Sequence, residues 1–313
     1  MRGLVVGCGA IGGIYAARLT RVMEMVAFDT NARHIAAINR DGLRLTGRSE
    51  LTAALKATAV ARDLAAQAFD VVLVTVKSQA TAAAFDAVRE HLRGDPLLVT
   101  LQNGMGNVET LAERSRFDIA QGASTEAGRV LGPGRIEHLV HGEDSWLGPV
   151  RGTLARVDAF GALLNGSGMP TRVVNDPRGA VWSKFIFNCV MNPIGALVLG
   201  ENRARYEIAQ MRELIDAMFA EASEVARVQG IELPFDPMML VKKTRSGELP
   251  LTRHAGSMAG DLAAGRETEL EALTGYLVRK AHALGVSVPV SETVYRLAKG
   301  LEYATLIRRG AVA

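Results

Sequence analysis

The sequence predicts an α/β protein whose N-terminal half is a doubly wound parallel sheet and whose C-terminal half is helical. Three observations predict it. Short runs that are apolar throughout alternate with helix-compatible stretches, the pattern of strands covered on both faces. A glycine-rich loop stands between the first such run and the first helix. Beyond Val174 long helical patterns fill most of the chain.

Gly3 to Val6 is the first apolar burst, and Ile14 to Met23 reads as helix, with apolar Ile14, Ala17 and Val22 among arginines. Met25 to Phe28 is the second burst. Asp70 to Lys77 and Pro96 to Gln102 are apolar runs of strand length, followed by helical stretches at Ala80 to Leu92 and Asn107 to Arg114. Such βαβ units build a parallel sheet, and its ligands bind beyond the carboxyl ends of the strands. That rule makes candidates of the residues at those ends: the Gly7 to Gly12 loop, Asp29, Lys77 and Asn103. From Gly122 to Gly148 glycine and polar residues suit hairpins or edge strands. Asn175-Asp176-Pro177-Arg178-Gly179 is a turn cluster, so the first domain is expected over residues 1–174 and a helical domain over 175–313.

Composition narrows the function. The 313 residues are 48% hydrophobic, and 36 basic against 33 acidic residues leave a net charge of +3. The calculated pI of 9.0 reflects that small excess, not a basic face, so nucleic acid is not implied. Glycines at 3, 7, 9, 12 and 13 break the N-terminal apolar run that could pass for a signal peptide, and no run approaches the roughly 18–20 uncharged residues of a membrane span. Two cysteines, Cys8 and Cys189, are too few for a disulfide framework and suit a reducing cytoplasm.

Gly7-Cys8-Gly9-Ala10-Ile11-Gly12 fits the G-x-G-x-x-G fingerprint of a Rossmann-type dinucleotide-binding domain, with a strand before it and a helix after. Gly7 permits the tight turn, Gly9 lets the backbone approach a pyrophosphate, and Gly12 allows close helix packing. The anion is then met by the helix N-terminus. Asp29 ends the second apolar burst, where a carboxylate accepts both ribose hydroxyls of NAD and repels the 2′-phosphate of NADP. Arg33, four residues on, could compensate that charge. The bland alternative is that Asp29 caps a helix starting near Thr30.

In the second half, Lys184, Asn188 and Asn192 interrupt the apolar stretch Trp182 to Pro193 at spacing i, i+4, i+8. Each step of four adds about 40° on a helix, so the three lie on one narrow stripe. Burying them among Trp, Phe and Val is costly without partners, and a polar substrate is one. The alternative is a lysine that snorkels to solvent and asparagines that satisfy backbone carbonyls. In a partly dry cleft a lysine's pKa can fall, making its ammonium a usable general acid. Further on, Thr268 and Glu271 fit a capping box, with Glu269 near the same helix start. His138 and His141 have a spacing seen in some metal sites, but in an extended segment they face opposite sides and no third ligand stands out, so no metal is expected. Neither cysteine has an activating base beside it.

Together these residues resemble the ketopantoate reductase (2-dehydropantoate 2-reductase) family. The matching motifs are GCGAIGG at 7 to 13, VK at 76 to 77, LQNGMGN at 101 to 107, WSKFIFNCVMNP at 182 to 193, SM-x-x-D at 257 to 261, GRETELEALTG at 265 to 275 and GVSVP at 285 to 289. The resemblance implies a Rossmann-type domain joined to an all-helical, 6-phosphogluconate-dehydrogenase-like domain, with the substrate bound in the cleft between them. It implies hydride transfer from NADPH to the C2 ketone of 2-dehydropantoate, with Lys184 as general acid. It also implies that Asn103 holds substrate and nicotinamide, and that Lys77 lies on the cofactor side. Asn188, Asn192 and Ser257 would bind the substrate's polar groups, and Glu269 its hydroxyl. The sequence departs from the family twice: Phe28-Asp29-Thr30-Asn31-Ala32-Arg33 lacks an arginine directly after the second strand, and His254 replaces a substrate-binding asparagine ahead of Ser257. NADP and NAD both stay open, as do another 2-oxo acid as substrate, a nicotinamide-binding sensor without turnover, and a homodimer.

Overall fold

The computed structural model describes residues 1–142, 144–251 and 255–310. The chain divides into two units, one of residues 1–102 and 106–177 and the other of residues 103–105 and 178–313.

In the first unit, β1 (Arg2–Val6), α1 (Ala10–Leu19), β2 (Glu24–Phe28) and α2 (Ala32–Asp41) follow the expected alternation. Three short strands come next, β3 (Leu43–Gly47), β4 (Leu51–Ala53) and β5 (Lys56–Thr58). Then β6 (Val71–Val74), α3 (Thr81–Arg89), β7 (Leu97–Thr100) and α4 (Asn107–Arg114) complete the alternating part. Beyond them lie β8 (Ile119–Ala123), β9 (Ala127–Gly132), β10 (Arg135–Val140), β11 (Ser145–Arg151), α5 (Leu154–Gly166) and β12 (Thr171–Val173).

The large sheet runs β12-β11-β8-β7-β6-β1-β2-β5. From β5 to β8 every neighbouring pair is parallel, and β11 then pairs antiparallel with β8. The sheet is thus mixed at the β8 side, where the sequence suggested hairpins or edges. Successive strand residues serve opposite cores: Val5, Leu73 and Val99 join one cluster, while Leu4, Val6, Val72, Val74 and Leu98 join the other. Burial on both faces explains why these strands carry no polar alternation. A second sheet, β4-β3-β10-β9, includes the hairpin around Gly132-Pro133-Gly134.

α1 starts at Ala10 and ends at Leu19, not at Ile14 and Met23 as the arginine-interrupted pattern suggests. Gly12 and Gly13 weaken helix propensity, but packing requires them: a Cβ at Gly12 would collide with the Gly7 carbonyl oxygen, and one at Gly13 with Ile136.

The second unit is helical: α6 (Arg178–Leu197), α7 (Asn202–Glu207), α8 (Ala209–Val228), α9 (Met239–Arg245), α10 (Ser257–Ala263), α11 (Thr274–Leu284) and α12 (Pro289–Arg308). α6 is central, buried along Phe185, Ile186, Cys189, Val190 and Ile194. Pro193 lies inside it and offers no N–H to the Cys189 carbonyl one turn back. The Thr274 hydroxyl donates to that carbonyl instead, at 2.8 Å, so the helix continues without an orphaned acceptor. Among the described residues no helix is long and apolar enough to cross a membrane.

Candidate active site

In the first unit the glycine loop follows β1, the strand flanked by β2 on one side and β6 on the other. This is where connections leave the sheet in opposite directions, the switch point at which such sheets bind ligands. Gly7 has φ +93, and a Cβ there would stand 2.6 Å from Val76 Cγ1. A Cβ on Gly9 would meet nothing within 4 Å, so the loop is open at its second glycine. The Thr75 hydroxyl donates to the Gly7 carbonyl at 2.8 Å and pins the turn. Ala10 and Ile11 begin α1 and aim its N-terminus at the same place. Cys8 is fully buried; burial and the charge of Asp29 push its thiol up to about 12, so it stays protonated and unreactive.

Asp29 directly follows β2, half-buried, and one carboxylate oxygen accepts the Asn31 N–H at 2.9 Å. Asn31, not Asp29, caps α2, accepting the His34 N–H at 3.1 Å. The capping alternative for Asp29 is therefore incorrect: Asn31 already stands one residue before α2, and Asp29 stays on the strand end. Arg33 is exposed on the first turn of α2. Lys77 follows β6, half-buried, at the start of a short 3-10 turn, Ser78–Ala80. Gln102 ties these strand ends together, donating to the Val76 carbonyl at 2.7 Å and to the Thr81 hydroxyl at 2.8 Å. Neither Gln102 nor Thr75 is distinguishable by residue type alone.

In the second unit α6 carries Lys184, Asn188 and Asn192 on successive turns, Asn188 buried and the other two half-buried. Asn188 Nδ2 is buried without a hydrogen-bond partner. Asn103 belongs to this unit: Met105 N–H donates to the Ala272 carbonyl at 2.9 Å, and Ala272 N–H donates to the Glu269 carbonyl at 3.1 Å. The first bond thus joins the Asn103 segment to the turn that carries Glu269, and the second closes that turn. Ser257 is exposed at the first position of α10, a helix packed on α6. His254 lies outside the described residues.

The capping box at Thr268 and Glu271 does not form. Both the N–H and the hydroxyl of Thr268 donate to Oε1 of Glu302 on α12, at 2.8 and 2.6 Å. Glu271 instead meets Arg279, Tyr295 and Lys299, whose bonds hold its carboxyl below the usual value against the opposing effect of burial. The next helix starts only at Thr274. The reason is a buried acid from a distant helix that takes the Thr268 N–H, the donor Glu271 would have accepted in a box, while the Thr268 hydroxyl oxygen accepts the Leu270 N–H at 3.2 Å.

The two histidines do not face opposite sides. β10 ends at Val140 with a register shift between His138 and Val140, so strict alternation stops before His141. Both rings meet Glu126, with His138 Nε2 at 2.5 Å and His141 Nδ1 at 3.1 Å from its carboxylate, and Ser49 meets His138 Nδ1 at 2.7 Å. The possible ligand atoms of the three lie within 4.8 Å of one another. Glu126 is the third group that the sequence did not reveal; it and His138 are buried, and His141 is exposed.

The family described as "Ketopantoate reductase PanE/ApbA" matches residues 4–152, and its C-terminal region matches residues 176–302. A 2-dehydropantoate 2-reductase of Halobacterium salinarum is 31% identical over 306 residues, covering 96% of this chain and 98% of the relative. That of Pyrococcus horikoshii is 29% identical over 303 residues with the same coverage. The solved ketopantoate reductase of Ralstonia eutropha JMP134 is 27% identical with a TM-score of 0.87, covering 97% of this chain and 99% of that one. A D-mandelate dehydrogenase solved with NADH and anilino(oxo)acetate shares the fold, with a TM-score of 0.88 at 20% identity and the same coverage.

Proposed function

The chain belongs to the ketopantoate reductase family and is an NAD(P)-dependent oxidoreductase, and from that premise we propose that it reduces 2-dehydropantoate to pantoate. The single observation that carries a substrate on α6 is Asn188 Nδ2, a buried donor left without a partner. Leaving such a group unpaired costs about 1–3 kcal/mol, which a substrate oxygen beside it returns.

The glycine loop, open at Gly9 and backed by the start of α1, suits a pyrophosphate, and Asp29 suits a ribose. When bound, the nicotinamide supplies the hydride for the C2 ketone. Lys184 gives the proton that the reduced C2 oxygen takes, and its charge stabilises the developing alkoxide. Asn188, Asn192 and Ser257 hydrogen-bond the substrate, Glu269 holds its hydroxyl, and Asn103 orients substrate and nicotinamide. Lys77 and Arg33 serve the cofactor side. In this reading residues 1–174 bind the dinucleotide and residues 175–313 supply the substrate and catalytic domain. Two buried, protonated thiols suit a reducing cytoplasm.

Asp29 favours a second reading of the cofactor, NADH in place of NADPH, because its carboxylate repels a 2′-phosphate. A panel of 2-oxo acids, assayed with each cofactor, tests both readings. Oxidation of NADH or NADPH upon addition of 2-dehydropantoate is expected. Faster turnover of another 2-oxo acid would reassign the substrate, and cofactor binding without any turnover would make the chain a sensor.

A further inference from the structure

His34 is 4% exposed and sits on the first turn of α2. Its ring bonds to two segments distant in sequence: Nε2 lies 2.9 Å from the Cys8 carbonyl oxygen, and Nδ1 lies 3.1 Å from the Gly134 backbone nitrogen. These partners determine the tautomer. A backbone N–H only donates, so Nδ1 is the acceptor and carries no proton. Nε2 therefore carries the proton and donates to Cys8, whose carbonyl only accepts. The backbone of His34 makes a third connection, donating to Asn31 Oδ1, and the Asn31 N–H in turn donates to Asp29. Gly134 has φ +67, and a Cβ there would stand 3.2 Å from Ala37 Cβ, so glycine is what brings the hairpin turn close to α2.

One side chain thus joins the pyrophosphate loop to the hairpin turn, and its own backbone holds the turn that carries the ribose acid. We propose that His34, as the neutral Nε2–H tautomer, is a positioning residue for the cofactor, setting the glycine loop and Asp29 in one register. The proposal rests on the reading that this loop holds a nicotinamide dinucleotide. Cys8 is the second residue of the loop, and a carbonyl free to turn would bring partial negative charge toward the phosphates. Bonded to His34, it is held. A ligand that touches both the loop and Asp29 then binds two segments already spaced for it, without paying to order them.

The test compares wild type with His34→Leu and His34→Gln, using whichever of NADH and NADPH binds tighter, together with ADP and adenosine as fragments. Loss of the register should weaken the dinucleotide and ADP about tenfold or more in His34→Leu, the equivalent of one or two lost hydrogen bonds. Adenosine, which has no phosphate, should weaken less than threefold, and KM for the dinucleotide should rise with kcat nearly unchanged. The glutamine carboxamide offers a donor and an acceptor and should recover most of the affinity. Thermal unfolding of each variant confirms that the comparison is between folded proteins. Dinucleotide affinity within twofold of wild type in His34→Leu overturns the proposal, and so does an equal loss for adenosine and ADP. A wild type that binds neither dinucleotide overturns the cofactor reading and the role of His34 with it.

Discussion

Replacing Thr274 by Val should destabilise the helical unit by about 1–2 kcal/mol, and should do so only while Pro193 is present. Thr274 is completely buried, and its hydroxyl is the donor that meets the Cys189 carbonyl at 2.8 Å. Pro193 stands four residues after Cys189 and has no N–H to give. Valine keeps the shape and removes the donor, leaving a buried carbonyl unpaired. In Pro193→Ala the new N–H reaches that carbonyl along the helix, so Thr274→Val should then cost no more than about 0.5 kcal/mol. The coupling between the two positions is therefore about 1 kcal/mol, large enough to measure by urea denaturation of the four proteins in a double-mutant cycle. Asn188 and Asn192 immediately precede the two residues of this break, so KM for the 2-oxo acid should rise in Thr274→Val as well. Equal losses in both backgrounds would refute the idea that Thr274 stands in for the missing proline N–H.

Three further outcomes are expected. Lys184→Ala should lower kcat by on the order of 10²-fold or more with cofactor affinity nearly intact, and an unchanged rate would remove the lysine from proton transfer. For Asp29→Ala, the ratio of kcat/KM with NADPH to that with NADH should rise; a wild type that already strongly prefers NADPH would show that Arg33 or backbone groups override the carboxylate. Stability should fall at high pH because Cys8 keeps its proton to about 12 when folded, from an ordinary value of 9.0, while the unfolded chain releases it near 9.0. Its contribution is fully present below pH 9.0 and is lost as the pH rises toward about 12. The loss reaches about 4 kcal/mol at most, and Tyr15, raised from 10.0 to about 12, acts in the same direction. Urea midpoints at pH 8 and 10.5 should separate for wild type and separate less for Cys8→Ala; superimposable slopes would exclude the thiol as a source.

What was legible in the sequence follows from distance along the chain. The glycine loop, the strand alternation and the Lys184 stripe are patterns within one turn or one βαβ unit, and helical or extended geometry alone converts their spacing into a shared face. Where the local pattern was misread, a long-range partner had displaced the local one. Thr268 and Glu271 could have formed a box, but Glu302 on α12 lies buried against Thr268 and takes the N–H that Glu271 would have accepted. Strand alternation separates His138 from His141 only while the strand lasts, and Glu126 gathers them where it stops.

The same division explains why the sequence marks out candidate ligand-touching residues and not the residues that support them. A reaction limits its groups to a few chemical types, so a lysine and two asparagines on an apolar helix stand out as an expense needing a reason. A supporting group only has to supply a donor or acceptor at one point, and almost any polar residue qualifies. Thr274 reaches Cys189 across 85 residues, and His34 reaches Cys8 across 26 and Gly134 across 100. Two of these bonds meet a carbonyl beside a local feature that the sequence does display: a proline inside a helix, and the glycine loop. The proline at 193 therefore already states that a donor from elsewhere is required, and only the fold says which residue provides it.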